Sequence, residues 1–293
     1  REVCEAFNDG EHLLVEAATG VGKSLAYLLP SLVWAHSNSD RVVVSTHTIN
    51  LQEQLFSKDI PQLAQALGYR PSVAILKGRN NYLCPARLRA LTNRASLSPE
   101  QALALAKVLI WAPSTATGDR SELFLNTAPE RAVWSQIASD TAWCNGEACR
   151  FRQRGGCHYL RARQLAQQSE VVIVNHSLLT IDVCQGAESL PEFEHLVVDE
   201  AHHFQSACTN ALRLDLTVAQ ITEIIRTLVA PDRTGDGGAV GRVRAALGRS
   251  KQGSSEGVQA CTRLAEALGA LEPELDAVTS HLDHCAAAFL GAS

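Results

Sequence analysis

The 293-residue sequence has no methionine, few aromatic residues (5%) and no internal repeat. No apolar run reaches the roughly 18 residues that a membrane-spanning helix requires, and no basic stretch leads into an apolar run at the amino terminus. These absences exclude a helical membrane protein and a recognisable signal peptide, so we expect a cytoplasmic protein. The lack of methionine has no physical explanation in the sequence.

Charge is also sparse, with 26 basic residues against 31 acidic ones and a net charge of −5. That balance argues against a surface that binds polyanions everywhere, but it permits a local basic patch. Hydrophobic residues make up 46% of the chain and charged residues 19%, as is typical of a globular protein. The length predicts one or two domains.

Nine cysteines are an odd number in a long chain, which argues against a disulfide scaffold. Five of them are scattered singly. The other four are Cys84 and the cluster Cys144, Cys149 and Cys157. Four thiolates in a tetrahedral set suit either zinc or an iron–sulfur cluster, and the spacing alone does not choose between them.

Alternating strand and helix patterns predict an α/β fold with a parallel sheet. The predicted strands are residues 12–16, 41–45, 72–76, 170–175 and 195–199. Helices are predicted at 23–29, 48–55, 212–229 and 258–289, with a Gly- and Ser-rich loop over 231–257. The strand pattern stops over residues 84–169, which we call the inserted segment.

Residues 17–24, A-A-T-G-V-G-K-S, nearly match the phosphate-binding loop G-x-x-x-x-G-K-[ST], with Ala17 in place of the first glycine. The backbone N–H groups of such a loop hold phosphate oxygens, its lysine reaches the β- and γ-phosphates, and its serine binds Mg²⁺. The predicted nucleotide-binding residues are Ala18, Thr19, Gly20, Val21, Gly22, Lys23 and Ser24.

Two adjacent carboxylates, Asp199 and Glu200, end an apolar run in the sequence L-V-V-D-E-A-H. In P-loop ATPases an aspartate at a neighbouring strand end holds Mg²⁺, and a second carboxylate can deprotonate the attacking water. We therefore predict Lys23, Asp199 and Glu200 as catalytic residues, and Ser24 with Asp199 as the Mg²⁺ ligands.

Arginines concentrate around the four cysteines. Residues 79–94 carry four arginines and no acid, and residues 147–163 carry five arginines against one acid. Arginines interleaved with rings suit single-stranded nucleic acid, because guanidinium groups bind phosphates and rings stack on bases. The candidate contacts are Arg79, Arg87, Arg150, Arg152 and Tyr159.

Four segments together resemble the XPD/DinG family of superfamily 2 DNA helicases. They are residues 16–24 as motif I, 45–55 as motif Ia (S-T-H-T followed by L-Q and Q-L), 171–179 (V-V-I-V-N-H-S-L-L) and the D-E-A-H box at 199–202. Residues 77–84, K-G-R-N-N-Y-L-C, also resemble the family's entry into its cluster domain. The resemblance covers residues 1–205, and the DinG branch is the more similar one.

The resemblance implies a 5′→3′ DNA helicase, active in DNA repair, that uses ATP and Mg²⁺. It implies a [4Fe–4S] cluster on Cys84, Cys144, Cys149 and Cys157. It also implies that His202 is catalytic and couples nucleotide state to the motor, and that Ser45, Thr46 and His47 touch single-stranded DNA.

The family's domain order implies a P-loop RecA-like ATP-binding lobe (1–83 and 170–205), an inserted iron–sulfur cluster domain (84–169) and part of a helical arch-like domain (206–293). The expected partners are single-stranded DNA and DNA junctions, with no membrane and a monomeric state.

The motifs of the family's second RecA-like lobe, its arginine motif included, are not found after residue 205. We therefore expect a fragment that binds nucleotide weakly, hydrolyses little ATP and unwinds no DNA by itself. Two other interpretations stay open: an RNA-remodelling P-loop ATPase, and a redox-sensing DNA-binding module in which the cluster is the working part.

Overall fold

The computed structural model describes residues 1–18, 20–93, 97–186, 189–213, 238–249 and 255–290, together with residues 221, 225, 228 and 229. The chain divides into two compact units, Arg1–Arg213 and Leu214–Ser293. Within the described part of the chain, none of the helices combines the length and the hydrophobicity that crossing a bilayer demands.

A parallel four-stranded sheet organises the first unit, which confirms the predicted α/β class. Its strands are β1 (Val42–Thr46), β2 (Val73–Ile75), β3 (Val171–Asn175) and β4 (His195–Val198), in the order β2-β3-β1-β4. Val42 pairs with Val171 on one side and with His195 on the other. Every residue of β1 is buried, as expected for a parallel strand covered on both faces.

Helices cover both faces of this sheet. They are α1 (Glu2–Asp9), α2 (Lys23–Asn38), α3 (Ile49–Gln54), α4 (Ile60–Leu67), α10 (His176–Gln185) and α11 (Phe204–Leu212), with a π-helical turn (Leu55–Asp59) between α3 and α4. Leu28 and Leu32 of α2 pack on one face, and Leu179 of α10 packs on the other. The successive strand residues Val43 and Val44 point into these two separate hydrophobic clusters.

The inserted segment lies between β2 and β3 and is helical. Its helices are α5 (Pro85–Thr92), α6 (Pro99–Trp111), α7 (Ala128–Ile137), α8 (Arg150–Gln153) and α9 (His158–Gln168). Capping boxes at Ser98 and Thr127 start α6 and α7. The inserted segment has its own hydrophobic cluster, which includes Val108, Trp134 and Ile137 and is separate from the two clusters on the sheet.

The described residues of the second unit include α12 (Gly238–Arg249) and α13 (Ser255–Leu290), which pack on each other. The helix predicted over 258–289 is thus confirmed. The predicted loop over 231–257 is wrong for 238–249, because apart from Gly238, Gly241 and Gly248 this stretch holds mostly helix-forming residues. The helix predicted over 212–229 lies mostly outside the described residues.

Four of the five predicted strands are confirmed within one or two residues at each end. The strand predicted over 12–16 is wrong, because that stretch has no regular structure. Leu14 is 91% exposed and Val15 is 56% exposed, so no apolar surface covers this run and no neighbouring strand pairs with it. The domain boundaries at 84, 170 and 206 stay predictions.

Candidate active site at the carboxyl edge of the sheet

The phosphate-loop residues form an open turn at the start of α2. Gly20 and Gly22 have φ angles of 81° and 87°, a left-handed conformation that glycine adopts without steric cost. Apart from the glycine itself and its two chain neighbours, no described heavy atom lies within 4 Å of where a Cβ would stand on either residue. Val21 between them is 64% exposed, so the loop faces solvent and has room for a ligand. Thr19 lies outside the described residues.

Lys23 and Glu200 meet although they are 177 positions apart in the sequence. The Lys23 Nζ donates to the Glu200 Oε1 at 2.8 Å, and both side chains are about 30% exposed. The hydrogen bond to Lys23 lowers the pKa of Glu200, and the same contact raises the pKa of Lys23. The structure therefore brings the phosphate loop and the acidic pair together, as the sequence predicts.

Tyr27 makes a second link between α2 and the acidic pair. Its hydroxyl donates to the Asp199 Oδ2 at 2.9 Å, while the Glu200 N–H donates to the Asp199 Oδ1 at 3.0 Å. Burial, followed by the charge of Asp199, raises the pKa of Tyr27 well above its usual range. The nearby Ser24 side chain acts in the opposite direction and lowers the pKa of Tyr27.

The predicted Mg²⁺ ligands Ser24 and Asp199 thus flank one hydroxyl. Oxygen donors of this kind are those that Mg²⁺ prefers, so these residues fit the ion. Sequence analysis missed Tyr27. Its position four residues after Lys23, on the same helix face, was the available indication.

The turn that follows β4 carries Glu200 and His202, the last of the four predicted catalytic residues. Glu200 has a φ of 51°, which is uncommon for a residue other than glycine. A single 3₁₀ turn, Ala201–His203, follows it. The His202 Nδ1 lies 3.5 Å from the Glu200 Oε2, and this imidazole is 66% exposed. The four predicted catalytic residues therefore lie at one edge of the sheet.

The segment expected to touch DNA follows β1 at this same edge. The Ser45 and Thr46 side chains are fully buried, and their hydroxyls bond with the His176 ring and the Thr48 carbonyl. His47 is exposed and stacks on His203, with ring centroids 4.1 Å apart. Of the three predicted residues, His47 is the one that presents its side chain at the surface.

The four predicted cluster cysteines lie in the inserted segment as free thiols. Cys84, Cys149 and Cys157 each directly precede a helix, namely α5, α8 and α9. Burial raises the pKa of Cys84, and the nearby Cys157 and Cys149 thiols raise it further. Burial also acts to raise the pKa of Cys144, but the Gly146 N–H and the Arg79 guanidinium outweigh it and lower that pKa.

The Cys149 and Cys157 thiols lie near Cys84, but the four cysteines do not form a ligand set. Among the described residues, which include all four cysteines, no three ligating side chains stand close enough to hold a metal ion. The donor chemistry fits an iron–sulfur cluster or zinc. The protein alone does not complete the ligand geometry.

The predicted nucleic-acid arginines divide into two groups. Arg79 lies 4.4 Å from the centroid of the Tyr159 ring, and Arg87 donates to the carbonyls of Ala138 and Ser135. Arg150 and Arg152 lie on the short helix α8, where Arg150 is exposed. Tyr159 is 7% exposed and its hydroxyl bonds with Ser189, so its ring is enclosed by protein in this structure.

The chain is similar in sequence to a known protein family and to several known proteins. The DEAD/DEAH box helicase family model matches residues 1–96. An ATP-dependent helicase DinG from Mycobacterium tuberculosis is 39% identical over 241 residues, covering 75% of this chain and 35% of that protein.

Two further relatives carry related names. A protein named 3′-5′ exonuclease DinG from Bacillus subtilis is 34% identical, covering 72% of this chain and 22% of that protein. The ATP-dependent DNA helicase YoaA from Escherichia coli is 33% identical, with coverage of 79% and 36%. The chain therefore spans about a third of the length of the helicases it matches, 35% and 36% in these cases.

Proposed function

Because the chain belongs to the XPD/DinG family of superfamily 2 helicases, we propose that it is the ATP-binding part of a 5′→3′ DNA helicase. In this proposal ATP hydrolysis drives movement along single-stranded DNA and separation of duplex DNA. One observation carries most of the weight: Lys23 contacts Glu200, and Tyr27 contacts Asp199, across more than 170 residues of sequence.

The phosphate loop binds the nucleotide in this proposal. Its backbone from Ala18 to Ser24 surrounds the phosphate oxygens, and the left-handed Gly20 and Gly22 let the N–H groups converge. Ser24 and Asp199 hold Mg²⁺, which neutralises phosphate charge when it is bound. Lys23 leaves Glu200 for the β- and γ-phosphates, because a polyphosphate offers it more negative charge than a single carboxylate does.

That exchange prepares Glu200 for catalysis. While Lys23 is bound, the pKa of Glu200 is held below its usual value, so the carboxylate is a weak base. Once Lys23 moves to the phosphates, this lowering is lost and the Glu200 carboxylate accepts a proton from the attacking water more readily. The His202 Nδ1 lies 3.5 Å from the Glu200 Oε2, so His202 is close enough to respond when Glu200 loses its contact with Lys23.

The inserted segment is proposed to be an iron–sulfur domain in which Cys84, Cys144, Cys149 and Cys157 hold a [4Fe–4S] cluster. The proximity of the Cys149 and Cys157 thiols to Cys84 supports the assignment. Iron and acid-labile sulfide analysis of anaerobically purified protein tests it. Cys149→Ser should lose the iron and Cys184→Ser should keep it, whereas one equivalent of zinc without iron would refute the cluster.

Single-stranded DNA and DNA junctions are the proposed partners. His47 at the sheet edge and Arg150 and Arg152 on α8 are the residues best placed to meet a strand, since Arg150 and His47 are exposed. Residues 206–293 are proposed to belong to a helical arch-like domain, which the pairing of α12 with α13 supports.

The isolated chain is proposed to bind nucleotide weakly and to hydrolyse it slowly. An arginine that stabilises the transition state is worth on the order of 10³–10⁵ in rate, and the sequence shows no arginine motif after residue 205. Rapid ATP-driven unwinding by these 293 residues would contradict this. Stimulation of ATPase activity by RNA but not by single-stranded DNA would favour the RNA-remodelling alternative.

The direct test of the proposed function is titration of the protein with a fluorescent ATP analogue and Mg²⁺. Lys23→Ala should weaken binding by about 100-fold, since it removes a charge-assisted contact to phosphate. Lys58→Ala is the matched control, because Lys58 is exposed on the turn after α3. Equal affinities for the two variants would contradict the proposal.

A further inference from the structure

Imidazole rings link the carboxyl ends of β1, β3 and β4, and the mechanism above leaves most of them unused. His176 is the first residue of α10, directly after β3, and it is completely buried. The Asn175 side chain caps α10 by accepting from the Leu178 N–H. This cap fixes where α10 begins, and His176 is its first residue. A buried imidazole at this edge therefore has a defined position.

The His176 ring contacts the end of β1. Its Nδ1 lies 2.8 Å from the Ser45 Oγ, and the Ser45 carbonyl accepts the Asp199 N–H at the end of β4. Its Nε2 is buried without a hydrogen-bond partner. Burial lowers the pKa of His176, and the backbone of Asp199 and Glu200 opposes that effect. Phe204 packs edge-on against the ring at 5.2 Å.

A second link joins the same two strand ends at the surface. His47, after β1, stacks on His203, after β4, with centroids 4.1 Å apart and an interplanar angle of 19°. His203 in turn lies beside His202, with centroids 4.0 Å apart, and His202 neighbours Glu200. The end of the turn that carries Glu200 thus has two ring contacts, Phe204 on His176 and His203 on His47.

The turn itself is poised to change. Glu200 adopts a left-handed backbone conformation that is unfavourable for a residue other than glycine. The Lys23–Glu200 ion pair is formed in this structure, and in the proposed function Lys23 leaves it for the phosphates. A two-state element that two ligands can bias is what coupling between sites requires.

We propose that His176 and the His47–His203 stack couple DNA binding at the end of β1 to release of Glu200 by Lys23. His176 is a positioning residue, since it contacts Ser45, whose carbonyl accepts the Asp199 N–H, and Phe204, rather than either ligand. A strand that displaces His47 moves His203 and the turn, which favours the separated arrangement and tightens Mg²⁺-ATP. Linkage then requires Mg²⁺-ATP to tighten DNA by the same factor.

The inference depends on the proposed function, and one set of titrations separates the two. The affinity of the protein for a non-hydrolysable ATP analogue with Mg²⁺ is measured with and without an oligothymidylate, for wild type and variants. Wild type should bind the analogue about fivefold or more tightly when DNA is present. A wild-type protein that binds neither ligand would refute the proposed function itself.

Two substitutions at His176 isolate its hydrogen bonds from its volume. His176→Phe fills the cavity but cannot bond with Ser45, and it should reduce the DNA effect to less than about twofold. His176→Asn places an amide near the position of Nδ1 and should restore part of the effect. Thermal melting confirms that each variant is folded.

The surface link has its own variant and control. His203→Ala removes the stack on His47 and should also reduce the DNA effect, without the risk of a buried cavity. His36→Ala is the matched control, because His36 stacks on Tyr69 at 4.3 Å but lies in α2 away from these strand ends. Folded His176→Phe and His203→Ala proteins that keep the wild-type coupling would overturn the inference, as would a wild type that binds both ligands independently.

Discussion

The carboxyl edge of the sheet and the inserted segment hold their functional side chains in different ways. At the sheet edge, Lys23, Tyr27, Asp199 and Glu200 are joined by hydrogen bonds of 2.8–3.0 Å within the protein. In the inserted segment, the four thiols are neighbours that do not reach ligating geometry among the described residues. The first site is assembled by the polypeptide, whereas the second is not assembled in the protein alone.

Burial explains much of this difference. Residues 84–138 of the inserted segment contribute to a hydrophobic cluster that includes Val108 and Ile137, both completely buried. Residues 141–157, which carry Cys144, Cys149 and Cys157, contain no buried side chain. We therefore expect the cluster to order residues 141–157 rather than the whole inserted segment, because the rest has a core of its own.

Breaking the junction between the two regions should have the largest effect. Lys77 is 3% exposed, and its Nζ lies 2.8 Å from Glu53 of α3 and 2.7 Å from Asp119 of the inserted segment. Lys77→Met leaves the largely buried Asp119 without its ion-pair partner and should lower the free energy of unfolding by about 3 kcal/mol. Urea unfolding measures this, and the exposed Lys58→Met should change it by less than about 0.5 kcal/mol. A Lys77→Met protein as stable as wild type would show that the two regions are not joined here.

A smaller effect should appear at the sheet edge alone. Tyr27→Phe removes the hydroxyl that contacts both Ser24 and Asp199, and should weaken Mg²⁺-dependent nucleotide binding by about tenfold. Stability should also fall slightly, since Asp199 loses a buried hydrogen bond. Tyr69→Phe is the control, because the Tyr69 hydroxyl donates to the Leu32 carbonyl away from this edge. Identical nucleotide affinity in both variants would remove Tyr27 from the site.

The converse change weakens the inserted segment without touching the sheet edge. Thr127→Ala removes the side-chain cap at the start of α7 and should lower stability by about 1 kcal/mol. Nucleotide affinity should stay at its wild-type value, because the sheet edge is held by its own contacts. A parallel loss of nucleotide binding would mean that the two regions are not independent.

The smallest effect is the pH dependence of the Lys23–Glu200 pair. The folded-state pKa of Glu200 lies below its ordinary value of 4.5, so the pair's contribution is complete above that pH and is lost as pH falls through the lowered pKa. The difference in free energy of unfolding between wild type and Glu200→Gln should therefore be constant between about pH 6 and 8, where the ion pair is intact. It should shrink below about pH 4. Urea unfolding across this range measures it, and a difference that grows at low pH would contradict the assigned ion pair.

Sequence motifs predicted the residues whose type and spacing are required for binding phosphate and Mg²⁺. Lys23, Asp199 and Glu200 were predicted because phosphate and Mg²⁺ demand those groups at strand ends, and the structure brings them together. Tyr27 and His176 were missed as functional residues, since their partners lie 172 and 131 positions away and follow from packing rather than from a local pattern. The strand predicted over 12–16 was wrong for the same reason, because an apolar run becomes a strand only where a neighbour pairs with it.

The comparison is tested most directly by hydrogen exchange on anaerobically purified protein before and after chemical removal of the proposed cluster. Amides in residues 141–157 should lose protection when the cluster is removed, while those of β1, β3 and α7 keep theirs and Mg²⁺-nucleotide binding is unchanged. Equal protection of residues 141–157 in both forms, or loss of protection that extends into the sheet, would contradict the account.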